Sequence, residues 1–418
     1  MNEKDKNIMD EEKKKVNRNF FVLLAIFATA SVLRYYDHFI VSVNTTAFAF
    51  SYKYGFISRG LLGTALRIFD ILLPYDFMTY DGVGLVSKAA TCFFFLILFL
   101  FYGSCLKRCR EEMRQNTRYI IFFLSIFTFP MFVSAENFGR LDVYLLTIVL
   151  LCCMLVLSEK GEWLIVPLSI VAMLLHPGYV FMDINLLLVV LLYKILTQRG
   201  GKRKKYVALF MVTFVAVSIL FLYFEFFSHP HGENIYEEVV ATAKSLSDNG
   251  QNYHDHLINH DILGEDVFWA EWDWHVVNFI EFPIFLMLFS PYIYIIGKFY
   301  HNLIKREQNR ERKAAYILIV LGAVTLLPEM ILKTDYGRYM FALIFYYIAC
   351  ILMLLAMGDE GVAAQVKKIM DYLKNHMVLT LFLLMYAFMF VPFRDFHISD
   401  MLEEFYDKII IYLPYRAL

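Results

Sequence analysis

Ionisable residues recur in this chain beside glycine, proline or tyrosine, at the ends of long apolar runs. They are Tyr35-Tyr36-Asp37-His38, Tyr54-Gly55-Phe56-Ile57-Ser58-Arg59-Gly60 and Glu136-Asn137-Phe138-Gly139-Arg140-Leu141-Asp142, then His176-Pro177-Gly178-Tyr179 with Asp183, and Glu329 with Lys333-Thr334-Asp335-Tyr336-Gly337-Arg338-Tyr339. A charge next to membrane-length apolar sequence is costly unless it faces protein or a lined cavity. These residue types suit transfer from a lipid-linked phosphate or pyrophosphate. Arginine grips phosphate oxygens with two parallel N–H bonds, the role assigned to Arg59, Arg140 and Arg338, which would also stabilise charge on the departing phosphate. A carboxylate at Asp37 or Glu136 would take the proton from a sugar hydroxyl attacking an anomeric carbon. His38, Asp142, His176 and Asp335 are the remaining expected substrate contacts. Each member also has a plainer reading: Asp37 and His38 end a helix in water, Arg140 pairs locally with Asp142, Arg338 snorkels to lipid phosphate, and His176 sits in a hydrogen-bonded turn. The collection, not any one residue, asks for a function. The sequence holds no ATP-type phosphate loop, dinucleotide fingerprint or nucleophile elbow.

The elements that must position these residues are transmembrane helices. Hydrophobic residues make up 59% and charged residues 19% of the 418 positions, against about half and a quarter in soluble domains. Mixed Leu, Ile, Phe and Val in long uncharged runs argue for helices, since barrel strands would show short alternating segments. The sequence predicts an all-α, polytopic bundle of about eleven spans (ten to twelve), near residues 19–35, 82–103, 120–134, 141–157, 163–175, 184–196, 207–224, 276–296, 316–327, 339–357 and 378–391. Lysine and arginine cluster in alternate connections: in residues 1–18, at 107–118, at 199–205, at 298–313 and at 367–374. The positive-inside rule then puts the N-terminus in the cytoplasm and the C-terminus outside. The ionisable turns all fall on the outer side. The six cysteines lie in apolar runs or at their inner ends, so no disulfide or CxxC metal motif is expected.

The expected organisation is a basic cytoplasmic tail (1–18), an N-terminal membrane region (19–224) with a large first outer loop (36–81), an outer loop (225–275), a C-terminal membrane region (276–393) and an outer amphipathic tail (394–418). Within the first outer loop, Ile40 to Ser51 and Leu61 to Leu73 are apolar but short and interrupted, and read as re-entrant or interfacial helices. The 225–275 loop holds ten acidic residues and one base, Lys244, between Glu233 and Asp273, and is expected to form a helical cap. Its histidines raise a divalent metal ion as a cofactor, with His254, His256 and His260 as ligands. Their spacing matches no closed zinc pattern, and an acidic surface loop is the better reading.

With Asp37 just after the first span and this layout throughout, the chain resembles the multispan glycosyltransferases that use polyprenyl-phosphate-linked sugars, the GT-C-like superfamily. The resemblance covers the span layout of the whole chain. It implies an active site facing outside, an essential acid in the first outer loop, and a polyprenyl-linked saccharide as partner beside membrane lipids. That acid would be Asp37, although the family more often has a pair of acids where this chain has Asp37-His38. The chain also resembles the polymerases of O-antigen, capsule and exopolysaccharide, in which outer arginines and a histidine act; Arg140, Arg338 and His176 correspond in kind. A bacterial plasma membrane is the expected location, and nucleic acid is not an expected partner. Two other classes stay open. A transporter or flippase of a lipid-linked or anionic substrate would explain cavity-lining charges without catalysis, and would show broken helices in paired spans. A non-catalytic envelope scaffold would need no convergent ionisable set.

Overall fold

Long apolar runs with few internal helix breakers satisfy their backbone hydrogen bonds within themselves, which is what hydrocarbon demands of a spanning segment. A computed structural model describes residues 3–34, 43–133, 138–250, 253, 255–263, 272–332 and 336–390. Among these the regular structure is entirely helical. In order come α1 (Glu3–Arg34), α2 (Gly60–Leu72), α3 (Tyr80–Arg108), α4 (Arg114–Val133), α5 (Asp142–Ser158), α6 (Ile165–Leu175), α7 (Tyr179–Met182), α8 (Ile184–Thr197) and α9 (Gly200–Phe226). Then follow α10 (Ile235–Leu246), α11 (Asp255–Ile258), α12 (Trp272–Arg306), α13 (Arg310–Gly322), α14 (Leu327–Leu332), α15 (Tyr336–Ala356), α16 (Glu360–Asn375) and α17 (Met377–Phe390). The apolar runs read from the sequence are largely helical where described, but the run at 316–327 is divided between α13, a 3₁₀ turn and α14.

Among the described residues six helical stretches are long and apolar enough to cross a bilayer: Lys15–Leu33, Tyr80–Arg108, Glu111–Val133, Gly200–Phe226, Arg310–Met330 and Gly337–Ala356. The chain is therefore an integral, multispan, all-α membrane protein. Shorter apolar helices lie at Asp142–Ser158, Glu162–Leu175, Ile184–Thr197 and Met377–Ala387. Burial sorts the long helices into layers. In α15 83% of the span is inside the bundle, against 17% in α9 and in α1. So α15 is the central post, packed against α3, α4, α8 and α12, while α9 leans on α6 and α8 at the periphery. The outward face of α9 carries exposed Met211, Val212, Phe214, Val215 and Ile219, a surface suited to lipid.

The lysine and arginine clusters meet at one end of the bundle. Arg110 pairs with Glu360 at 2.6 Å and Arg199 with Glu311 at 2.8 Å. Glu159 receives both Lys194 and Lys202 at 2.9 Å, and the two ammonium groups, Lys202 first, hold its carboxyl at about 2. Arg118 donates to Asn17 at 2.6 Å, which brings the N-terminal helix to the same end. Connections far apart in sequence thus share one face, as the alternation of basic segments requires.

The opposite end is built differently. The helix α2 has 13 residues, roughly 20 Å at 1.5 Å per residue, which is short of a bilayer core of about 30 Å. Its inner face packs on the 3₁₀ turn Val43–Phe48 and on α6. Gly63 permits the contact, because a Cβ there would run into the carbonyl oxygens of Phe48 and Phe50. The outer face of α2 leaves Ile68, Phe69, Ile71 and Leu72 exposed. Within residues 225–275 the helix α10 rests on the Val43–Phe48 turn and on α3. The backbone N–H of His231 donates to the Tyr54 carbonyl at 2.8 Å and ties the cap to the first loop. The C-terminal tail from residue 391 on lies outside the described residues.

Candidate functional site

Two helices break near this end, and their breaks touch. The first interruption follows α6 at His176-Pro177-Gly178, where proline cannot continue the ladder; the chain then makes the single turn α7 and restarts as α8. The second follows α13, where the 3₁₀ turn Ala323–Leu326 precedes α14. Asn185, at the start of α8, donates through Nδ2 to Thr325 Oγ1 at 3.1 Å and to the Gly322 carbonyl at 3.3 Å. Thr325 in turn donates to the Phe181 carbonyl at 3.1 Å. Side chains thus serve backbone groups that the helix breaks released, the arrangement broken membrane helices need. Gly322 is required there: a Cβ would strike Tyr346 Oη and come within 2.7 Å of Val189 Cγ1. Gly322→Ala is expected to cost about 1–3 kcal/mol by overpacking, and thermal unfolding in detergent against wild type measures it.

Against these breaks stands a buried ionic centre. Arg338, near the start of α15, extends Nη2 to Asp142 Oδ1 at 3.0 Å, with side chains 17% and 16% exposed. Asp142 is the first residue of α5, so its charge also faces that helix's own N-terminal N–H groups favourably. The same Nη2 approaches Met182 Sδ at 3.8 Å. Asp183, between α7 and α8, feels both Asp142 and Arg338. Its Oδ2 is buried and accepts no hydrogen bond. Two carboxylates therefore surround one guanidinium, and the trio carries a net −1 when all are ionised. Asp142, Asp183, Asn185, Arg338 and Tyr346, with apolar neighbours such as Met131, line a cavity of about 30 Å³, room for about two waters.

A second polar group sits at the same break. The Gly178 N–H donates to His176 Nδ1 at 2.8 Å. The neutral ring therefore carries its proton on Nε2. Glu329 Oε1 and His176 Nδ1 both lie within 4 Å of the point where a Cβ on Gly178 would project. Tyr339 donates to Glu329 Oε2 at 3.5 Å. Asn44 adds a tether from the first loop, donating through Nδ2 to the Phe138 carbonyl at 3.0 Å.

The residues singled out from sequence divide as follows. Asp142 and Arg338 meet, although 196 positions separate them. The local Arg140–Asp142 reading gives way to that pairing, and Arg338 turns inward to a carboxylate where snorkelling would have turned it to lipid. His176 lies at the same helix break but outside the cavity lining, as do Arg140 and Arg59. Arg59 heads α2 with left-handed backbone, φ 59°. Asp37, His38, Glu136, Asp335 and His254 lie outside the described residues. His256 is in α11 and His260 in the following π-turn, with their side chains outside the described set. Among the described residues no cluster of three metal-ligating side chains occurs. Sequence reasoning gave no role to Asp183, Asn185, Thr325 or Glu329. The signal for Asp183 was present, as an acid five residues after the His-Pro-Gly turn and directly before an uninterrupted apolar run. Compared with known proteins, the chain matches no family model, no curated protein and no solved structure.

Proposed function

We propose that this protein transfers a sugar, singly or as a repeat unit, from a polyprenyl-phosphate or pyrophosphate carrier at the outer face of a bacterial plasma membrane. In this reading the fold is a GT-C-like bundle of about eleven spans, with the basic end in the cytoplasm and the helix breaks outside. One observation carries it: the Asp142–Arg338–Asp183 centre, assembled from α5, the α7–α8 junction and α15 beside the His176–Glu329 turn. Topology alone requires no such convergence. The cavity takes only about two waters, so a saccharide would lie above it. Asp183, with a lone pair shielded from water, joins Asp37 and Glu136 as a group able to take the acceptor hydroxyl's proton.

The paired helix breaks at residues 176–178 and 323–326 favour a second reading, a transporter that couples a proton or cation to its substrate. Broken helices facing a small acidic cavity are how such proteins hold an ion. One experiment separates the two. The purified chain is reconstituted with polyprenyl-phosphate sugars and an acceptor lipid, and both product and proton uptake are followed. Transferase activity should form glycolipid product, and Asp183→Asn should lower kcat by about 10²-fold or more, the usual contribution of a catalytic base. Equal product from Asp37→Asn, Glu136→Gln, Arg140→Ala and Arg338→Ala, compared at equal folded amounts, would sink the transferase site. Proton movement without product would install the transporter.

A further inference from the structure

The inward face of α2 holds a half-buried guanidinium, away from the Asp142–Arg338 centre. Arg67 lies one turn beyond Gly63, on the face that closes onto the Val43–Phe48 turn. Helical side chains lean toward the N-terminus, so Arg67 runs back over Gly63 and Thr64 toward the segment 43–54. Its Nε and Nη2 are both shut from solvent, and neither donates a hydrogen bond. Glu238 feels the charge of Arg67, but its carboxylate is already engaged by Lys53 at 2.7 Å. The packed segment supplies further donors of the same kind. Thr45 and Ser51 are 0% and 1% exposed, and their hydroxyl oxygens are buried without a hydrogen-bond partner.

A buried charged donor left unmade is costlier than a neutral one, and here two sit on a single edge of one guanidinium. Nε–H and the adjacent Nη2–H form the parallel fork that fits two oxygens of one oxyanion. A carboxylate would spend both oxygens on that fork, whereas a phosphate keeps more for hydroxyl donors such as Thr45 and Ser51. Next to this polar face, the outward side of the same helix presents Ile71 at 82% and Leu72 at 70% exposure. An amphiphile with a phosphate head and an apolar chain matches both sides of α2 at once.

We propose that Arg67, assisted by Ser51 and Thr45, is a phosphate-binding subsite whose ligand is the phosphate head of a membrane amphiphile lying along α2. The subsite is separate from the transfer centre and does not depend on the reaction proposed for it.

The test follows unfolding of the full chain in dodecyl maltoside, a phosphate-free detergent, during titration with dioleoylphosphatidylglycerol, dioleoylglycerol or inorganic phosphate. A ligand that binds only the folded state raises Tm saturably. Phosphatidylglycerol should raise Tm, dioleoylglycerol should not, and Arg67→Gln should shift the half-saturating concentration up about tenfold, the loss of one charge-assisted contact. Arg67→Lys, which keeps the charge and loses the fork, should fall between. Asp142→Asn should leave the midpoint unchanged, so failure of the transfer centre and failure of this subsite read separately. An Arg67-dependent response to inorganic phosphate as strong as that to phosphatidylglycerol would assign the subsite to soluble phosphate and remove the lipid chain from the proposal. Equal responses of wild type, Arg67→Gln and Arg67→Lys, or equal responses to phosphatidylglycerol and dioleoylglycerol, would overturn it. If Arg67→Gln does not fold, Ser51→Ala and Arg67→Lys carry the same comparison.

Discussion

Arg338→Met is expected to destabilise the protein by about 3–5 kcal/mol, the scale for removing one partner of a buried ion pair. The arginine contacts Asp142 and its charge is felt by Asp183, and both acids stay in place when it leaves. Removing the cation that favours their charged forms leaves both acids less well compensated. Thermal and denaturant unfolding at neutral pH measure the stability. The double variant Arg338→Met with Asp142→Asn gives the decisive comparison: it removes a charge of each sign and should recover much of the loss, so the two changes should be strongly non-additive. A single variant as stable as wild type would mean that water, not the pair, satisfies these groups.

The second large effect is expected at the opposite end, at Asp359. This residue is 3% exposed and caps α16, its Oδ1 accepting from the Val362 N–H at 2.8 Å. The same carboxylate accepts from Tyr193 Oη at 2.6 Å and Tyr316 Oη at 2.8 Å. It therefore joins α8, α13 and α16 in one knot. Asp359→Ala removes the cap and strands two buried hydroxyls, a combined cost on the order of 4 kcal/mol. Tyr193→Phe and Tyr316→Phe delete a donor and its need together, and should each cost about 1 kcal/mol. Limited proteolysis gives a local readout, with Asp359→Ala expected to expose the junction between α15 and α16 to cleavage while α3 and α5 stay protected. Uniform sensitivity along the chain would instead mean global unfolding.

The spans were legible because their signal is local. Uncharged, mostly apolar runs of about 18 residues, as in α3 and α9, need no partner to be recognised. The shared basic face was legible for the same reason, since alternation is a property of connections. Pairing across the bundle was not. Asp142 has Arg140 two positions away and Arg338 196 positions away, and sequence proximity favours the wrong one. Packing decides for Arg338, because α15 is the central post and brings its first turn against the start of α5. Asp359 gives no sequence sign of its role, since an aspartate before a helix in a charged connection looks like an ordinary solvated cap. The broken helices were half legible: His176-Pro177-Gly178 marks one break, whereas the break at Ala323–Leu326 follows from contacts with Asn185 and Tyr346 that periodicity does not report. The span count divides the same way. Among the described residues six stretches declare themselves by length, while apolar helices such as α6 and α8 fall short of it.

The His176 turn has a consequence for the direction in which a proton moves. With Nδ1 held by the Gly178 N–H, the neutral ring offers its surroundings a hydrogen and no lone pair. Whatever meets Nε2 must bring the lone pair: a carboxylate such as Glu329, an ether or glycosidic oxygen, or a phosphate oxygen. A ligand that arrives with a hydrogen of its own meets a closed door unless the Gly178 bond breaks and the turn reshapes. The proline and glycine after this histidine thus do more than end a helix, because by fixing the tautomer they choose which chemical groups the imidazole will accept as neighbours.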